Sequence, residues 1–402
     1  MSLAEQKRLE EEYVMGTFAR KPVCLVEGDG IIVRDDQGHE FLDFIAGIGV
    51  CSLGHCHPAV VQAIQDQAAR LIHVSNYYYI EQRGEVARML SDGLSACDQA
   101  EHPAVWKTFF ANSGAEANEC AMKLARLWCK RKSHGGGIIV TLEGSFHGRT
   151  METLAATAQP AKQEAFQPLP QGFLHVPRND IEALERVFVD NDQAVCAVMV
   201  ECIQGESGVH PCSREFLQAA ERLAHKHGAL LICDEVQSGI YRTGKPFGFQ
   251  NFGITPDIVA IAKGIASGFP MGACSARADV ADVFEPGDHG TTFGGSNLAI
   301  AAAHATLSTL AQREISESVC AVGSYLRARL GEIPGIVRVR GFGLMVGCDV
   351  KEDIDAPAVV LKGLACGLLL NATGPHTLRF LPPLVCTDRD VDVLVEKLGT
   401  LL

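Results

Sequence analysis

Between Val105 and Pro270 short apolar runs alternate with longer stretches of helical spacing. The runs fall near residues 105–111, 137–142, 172–176, 194–200, 229–233 and 258–262, and their length and apolar, β-branched content suit buried strands. Strand, loop and helix in repeated alternation predict an α/β fold with a mostly parallel sheet covered by helices on both faces. Sites in such folds lie at the carboxyl ends of the strands. Upstream, Val23 to Phe44 alternates around Gly28-Asp29-Gly30 and Asp35-Asp36-Gln37-Gly38, which predicts a small sheet of hairpins. Ser2 to Glu12 is polar and acidic and reads as a capped surface helix. Gly47, Gly49 and Gly54 mark a loop, and helices are expected from Pro58 and over Glu81 to Ala96. Gly294-Gly295 precedes a small-residue helix, Asn297 to Leu310. Beyond it the pattern predicts helices near 314–330, 356–365 and 388–400 and strands near 335–350 and 377–381. The expected organisation is an amino-terminal segment at 1–57, a large domain at 58–311 and a carboxy-terminal domain at 312–402, with both termini building a smaller α+β domain.

A formal net charge of -13 removes nucleic acid and anionic membranes from the expected partners, since both demand a basic face. An anionic ligand then has to be held locally, by helix amino termini and a few arginines. No apolar run approaches the ~20 residues of a membrane span, and the polar start is unlike a signal peptide. The 15 cysteines lie mostly in apolar runs (Cys196, Cys202, Cys233, Cys274, Cys348, Cys366), as expected of reduced, buried thiols in a cytosolic protein. His55-Cys56-His57 suggests a metal site only superficially, because neighbours in an extended segment point to opposite faces. No metal is expected.

The chemistry is concentrated at two strand ends. Ile258 to Ala262 is apolar and ends on Lys263, followed by Gly264 and Gly268. Alone, that lysine also fits a side chain snorkelling out of a strand. The run Ala229 to Cys233 ends on Asp234, however, and an amine and a carboxylate at two buried strand ends suggest a pyridoxal phosphate site. The amine forms the Schiff base and the acid keeps the pyridine nitrogen protonated. A third strand, ending at Phe109-Phe110-Ala111, breaks into Asn112-Ser113-Gly114-Ala115-Glu116. Ser113 and Glu116 make a capping-box pattern, and the helix start offers free N–H groups to a phosphate.

With Asn112 to Asn118, Phe146-His147-Gly148-Arg149, Glu201-Cys202-Ile203-Gln204-Gly205-Glu206, Asp234 to Gln237, Lys263 and Thr291 to Gly295 in this order, the chain resembles the class III (ornithine-type) aminotransferases of fold type I over nearly its whole length. The resemblance implies that Ser113, Gly114 and Ala115 hold the cofactor phosphate, with Thr292 from a neighbouring subunit of a homodimer. It also implies that Phe146 and Val236 cover the two faces of the ring, that Gln237 bonds the phenolic oxygen, and that Lys263 and Asp234 are catalytic.

Toward substrates the resemblance implies Arg149, Arg379, Glu206 and Glu201, with Phe18, Ile48 and Thr291 at the entrance. Glu206 would pair with Arg379 while an ω-amine donor reacts, then release it for the carboxylate of 2-oxoglutarate. The aliphatic Ile48, with His73 to Tyr79, is similar to the acetylornithine branch, whose donor is N2-acetylornithine. Ornithine, succinylornithine and γ-aminobutyrate are the alternative donors, and a cofactor-binding regulator without turnover is the alternative outside catalysis. A nucleotide-binding protein is not expected, for want of a Gly-x-Gly-x-x-Gly turn or a phosphate-loop lysine. Two positions depart from the family pattern: Cys202, where proline is common, and the run Cys51-Ser52-Leu53, where asparagine is often found near the substrate mouth.

Overall fold

Strands Val195–Val200 and Leu230–Asp234 are buried at every position, as parallel strands covered on both faces must be. The computed structural model describes residues 2–97, 104–133, 135–191, 193–312 and 314–402. Its central sheet has seven strands in the order Trp106–Ala111, Gly272–Arg277, Ile258–Ile261, Leu230–Asp234, Val195–Val200, Ile138–Leu142, Phe173–Val176. The last five pair in parallel. Alternate residues along these strands point to opposite faces. Ile139, Ala197, Leu230 and Ile258 pack with Ala121, Leu124 and Ala125 of the helix Gly114–Lys132. Val140, Val198, Leu231 and Val259 pack on the other side with Phe216, Leu217 and Ala220 of Arg214–Lys226.

Gly272–Arg277 runs antiparallel between Ile258–Ile261 and Trp106–Ala111. Its sequence, Gly-Ala-Cys-Ser-Ala-Arg, has no β-branched residue and no alternation, so it carries no pattern signal of a strand. It forms because neighbours on both sides supply its hydrogen bonds.

Three hairpin strands, Leu25–Asp29, Ile32–Asp35 and Glu40–Asp43, form a second sheet that Leu368–Leu369 completes in parallel with Glu40–Asp43. Segments from the two ends of the chain thus share one sheet of the smaller domain. A third sheet is antiparallel, ordered Ile336–Phe342, Met345–Val350, Thr377–Phe380, Asn371–Gly374. It is backed by Ile315–Gly331 and carries Arg379 on its third strand.

Cys196, Cys202, Cys233, Cys274 and Cys348 are buried, whereas Cys366 is half-buried at a helix end. Among the described residues no group of three metal-ligating side chains converges, and no helix is long and apolar enough to cross a membrane. His55 instead bonds Asp43, with Nε2 2.8 Å from Oδ2.

Candidate active site

The carboxyl ends of Trp106–Ala111, Val195–Val200, Leu230–Asp234 and Ile258–Ile261 open on one cavity of about 440 Å³. Ser113, Gly114, Ala115, Phe146, Arg149, Glu201, Asp234, Val236, Gln237 and Lys263 all line it. Ten residues singled out from the sequence, spread over 151 positions, therefore share one wall.

Lys263 follows the last strand residue by two positions and opens a short 3₁₀ turn, with φ at 48°. A non-glycine residue in the left-handed region is costly, and such conformations concentrate where a side chain must be aimed. Burial of the amine pushes its pKa below the usual lysine value, against the opposing pull of Glu206 and Asp234. Desolvation favours the uncharged amine, the form that attacks a carbonyl.

At the far end, Asp234 is 4% exposed. Its Oδ1 accepts from the Val236 amide at 3.0 Å. Its Oδ2 accepts from Asn118 Nδ2 at 2.8 Å and lies 2.8 Å from His147 Nδ1. Each carboxylate oxygen has two acceptor directions, so Oδ1 retains one for a donor in the cavity. Burial opposes charge on His147, but the Asp234 and Glu201 carboxylates prevail and raise its pKa. Asn118 Oδ1 and His147 Nε2 are buried without a partner.

The helix Gly114–Lys132 begins at this wall. Ser113 caps it, Oγ accepting from the Glu116 amide at 3.2 Å, and the Ala117 amide is taken by the Ser113 carbonyl at 3.1 Å. The amides of Gly114 and Ala115 are left without an intrahelical acceptor beside the cavity, at the positive end of the helix dipole. Gly114 is required here, since a Cβ would lie 2.7 Å from Val236 Cγ1.

Glu201 is fully buried and turns to the backbone, accepting from the Phe146 amide at 2.8 Å and weakly from Gly205 at 3.4 Å. Burial lifts its pKa to about 7. It holds Phe146 in place, and Arg149 lies over that ring at 5.4 Å with Lys162 at 5.9 Å. Behind Gln237, Arg379 Nη1 donates to Glu206 Oε1 at 2.6 Å and to Gln237 Oε1 at 3.1 Å, while Gln237 Nε2 donates to Glu206 at 3.1 Å. Arg379 Nε donates to Asn371.

The remaining expected residues lie elsewhere in the single chain. Thr291 and Thr292 line an open groove with Asn76 and Arg83, although Thr291 Oγ1 accepts from Asn112 at 3.1 Å. Phe18 is 77% exposed beside the first helix. Ile48 is 38% exposed, with φ at 66°, two residues from the cavity-lining Val50. Sequence reasoning missed Asn118, His147 and Lys162 as site residues. Asn118 lies one turn beyond Gly114, and an amide on a buried helix face was the available signal; His147 stood inside a quoted motif, and Lys162 had no signal.

Pyridoxal phosphate fits these residues: a buried amine, a buried carboxylate with an acceptor direction to spare, a helix start for the phosphate and a cavity lined by both Phe146 and Val236. The class-III aminotransferase family profile matches residues 16–402. An acetylornithine aminotransferase of Caldanaerobacter subterraneus is 46% identical over 398 residues, 98% of each chain. Among solved structures, the ornithine aminotransferase of Toxoplasma gondii superposes with a TM-score of 0.91 at 32% identity, covering 100% of this chain and 95% of that one. The acetylornithine aminotransferase of Elizabethkingia anophelis gives 0.86 at 31%, covering 100% and 99%. The chain belongs to the class-III aminotransferases and is a pyridoxal phosphate-dependent transaminase of small amino and keto acids.

Proposed function

We propose that this class-III aminotransferase moves the δ-amino group of N2-acetylornithine to 2-oxoglutarate, giving N-acetylglutamate 5-semialdehyde and glutamate, a step of arginine biosynthesis in the cytoplasm. The observation that carries the substrate pair is the Arg379–Glu206–Gln237 cluster beside Lys263. A buried guanidinium with a carboxylate partner is silent toward an uncharged donor end, and becomes an anion site when that carboxylate turns away. One pocket then serves an ω-amine and a dicarboxylate in turn. The names of the relatives and the aliphatic Ile48 favour the acetylated donor.

Pyridoxal phosphate, when bound, supplies an aldehyde that bonds amines and a ring that accepts an electron pair. Ser113, Gly114 and Ala115 hold its phosphate, and Phe146 and Val236 enclose the ring. Gln237, which lines the cavity and has one Nε2 hydrogen beyond its bond to Glu206, would be the donor for the phenolic oxygen. Asp234, oriented by His147 and Asn118, keeps a proton on the ring nitrogen. Lys263 Nζ would be the amine that holds the aldehyde, and its buried, uncharged-leaning form suits it to move a proton at the substrate carbon. Glu201 fixes Phe146, while Arg149 and Lys162 meet the distal carboxylate. Phe18, Ile48 and Thr291 shape the entrance. Thr292 lines the cavity of neither its own Lys263 nor its own Ser113, which supports a homodimer in which it reaches a second copy's phosphate.

A substrate panel tests the donor. Acetylornithine should give the highest kcat/KM when run beside ornithine, succinylornithine and γ-aminobutyrate, and a higher value for any of these reassigns the donor.

A further inference from the structure

The turn that carries Glu206 sits on a row of three residues in the third sheet. Arg340 is paired with Gly347, and Gly347 in turn with Arg379. Residues directly opposite one another in antiparallel strands share a face, so two arginines flank one glycine beneath the turn. The glycine admits the turn: a Cβ on Gly347 would lie 2.6 Å from the Gly208 carbonyl oxygen and 3.0 Å from Val209 Cβ. Each arginine takes one end of residues 205–209. Arg379 Nη1 holds the leading end, donating to the Gly205 carbonyl at 3.3 Å as well as to Glu206 at 2.6 Å. Arg340 Nε holds the trailing end, shared between the carbonyls of Gly208 at 2.9 Å and Val209 at 3.0 Å.

That trailing end needs holding. Val209 is buried with φ at 58°, and a β-branched residue in the left-handed region is strained, a state that lasts only where the surroundings fix it. Arg340 is fixed in its turn. It is buried, and its Nη1 and Nη2 donate as a fork to Asp349, at 2.5 Å to Oδ2 and 2.9 Å to Oδ1. Asp349 Oδ1 also accepts from Thr377 Oγ1 at 2.8 Å. Thr377 stands two residues before Arg379 on one strand, hence on the same face. Through Arg340, Asp349 and Thr377 the turn bearing the acid is therefore tied to the strand bearing its arginine. None of the three lines the cavity, so their effect on transamination has to pass through Glu206 and Arg379.

We propose that Arg340 is a positioning residue of the Glu206–Arg379 pair. It pins the trailing end of the turn to the sheet, so that the Glu206 side chain leaves Arg379 for an incoming carboxylate and returns while the backbone stays seated. The inference rests on the switch described under the proposed function and adds what keeps that switch in register. A lysine at position 340 retains a charge toward Asp349, but a point donor cannot make the carboxylate fork and reach two carbonyls behind it at once. The turn then loses its anchor while the sheet keeps its ion pair.

The test uses single-turnover rates of the pyridoxal phosphate-loaded enzyme with glutamate and with the best ω-amine donor of the substrate panel, read as the ratio of amine rate to glutamate rate. Arg340→Lys should lower that ratio about fivefold, within the range of coupling between contacting residues, in the same direction as Glu206→Ala. Gly347→Ala lifts the turn from beneath with both arginines in place and should do the same; it decides the matter if Arg340→Lys does not fold. Added to Glu206→Ala, Arg340→Lys should lower the ratio no further, because effects that act through one residue do not add. Equal losses in both half-reactions, or a second full loss in the Glu206→Ala background, would make Arg340 a purely structural residue and overturn the assignment. The two readings fail differently. An unmoved ratio in Glu206→Ala removes the switch and this role with it, whereas a ratio that moves in Glu206→Ala but not in Arg340→Lys removes the role of Arg340 alone.

Discussion

Arg379 and Glu206 are joined at 2.6 Å across two segments 173 residues apart, with the guanidinium 2% exposed. Burial works against charge on Glu206, but the Arg379 guanidinium prevails and holds its pKa below the usual carboxylate value. The pair is therefore a charged one that an incoming carboxylate must replace in kind. In Glu206→Ala the arginine stands uncompensated during the amine half-reaction. That half-reaction should slow about tenfold or more, the equivalent of one charge-assisted hydrogen bond, while the glutamate half-reaction changes less. Single-turnover rates of the two halves provide the check, and equal losses would remove the switch.

Gly205 controls the same cluster sterically. A Cβ there would lie 2.0 Å from Gln237 Oε1, and Gln237 bonds both Glu206 and Arg379. Gly205→Ala should displace the amide and raise KM for 2-oxoglutarate about tenfold. Gly399→Ala, where nothing lies within 4 Å, serves as the neutral control. An unchanged KM in Gly205→Ala would mean that Gln237 does not order the cluster.

Asp234→Asn keeps the shape of the buried group and removes its charge. If that charge holds the ring proton, kcat should fall by about 10²–10⁴, the range for a positioned acid–base group. A kcat within twofold of wild type would assign Asp234 to structure alone.

Glu201 makes stability depend on pH. Burial lifts its folded pKa to about 7, from an ordinary 4.5. Between those values the unfolded chain has lost the proton and the folded chain keeps it, so stability falls as pH rises through that window. The effect is at most on the order of 3 kcal/mol. His147, with its pKa raised, adds a loss of the same sign as pH climbs above 6.5. Tm measured from pH 4.5 to 7.5 should fall less steeply in Glu201→Gln than in wild type, and parallel curves would mean that Glu201 is ionised throughout.

The parallel core was legible because its strands are buried on both faces and so read as unbroken apolar runs, and because Lys263 and Asp234 end two of them. Gly272–Arg277 was not, since its small residues become a strand only between two neighbours that need one. Leu368–Leu369 and Asn371–Gly374 were invisible for a similar reason, being too short to show a period. At the site, the motif residues up to Lys263 line one cavity while Thr291 and Thr292 line another groove, and the orientation of Asp234 by His147 and Asn118 is a relation across 87 and 116 positions, which no local pattern carries. The left-handed backbone of Lys263 likewise belongs to the turn between two paired strands and not to the lysine.

Reduction of the pyridoxal phosphate-loaded protein with borohydride, followed by peptide mapping, bears most directly on the site. The cofactor mass should be found on Lys263, and Lys263→Ala should lose both the adduct and transamination. A label on any other lysine, or protein that transaminates while Lys263 stays unlabelled, would contradict the placement of the cofactor between Lys263 and Asp234.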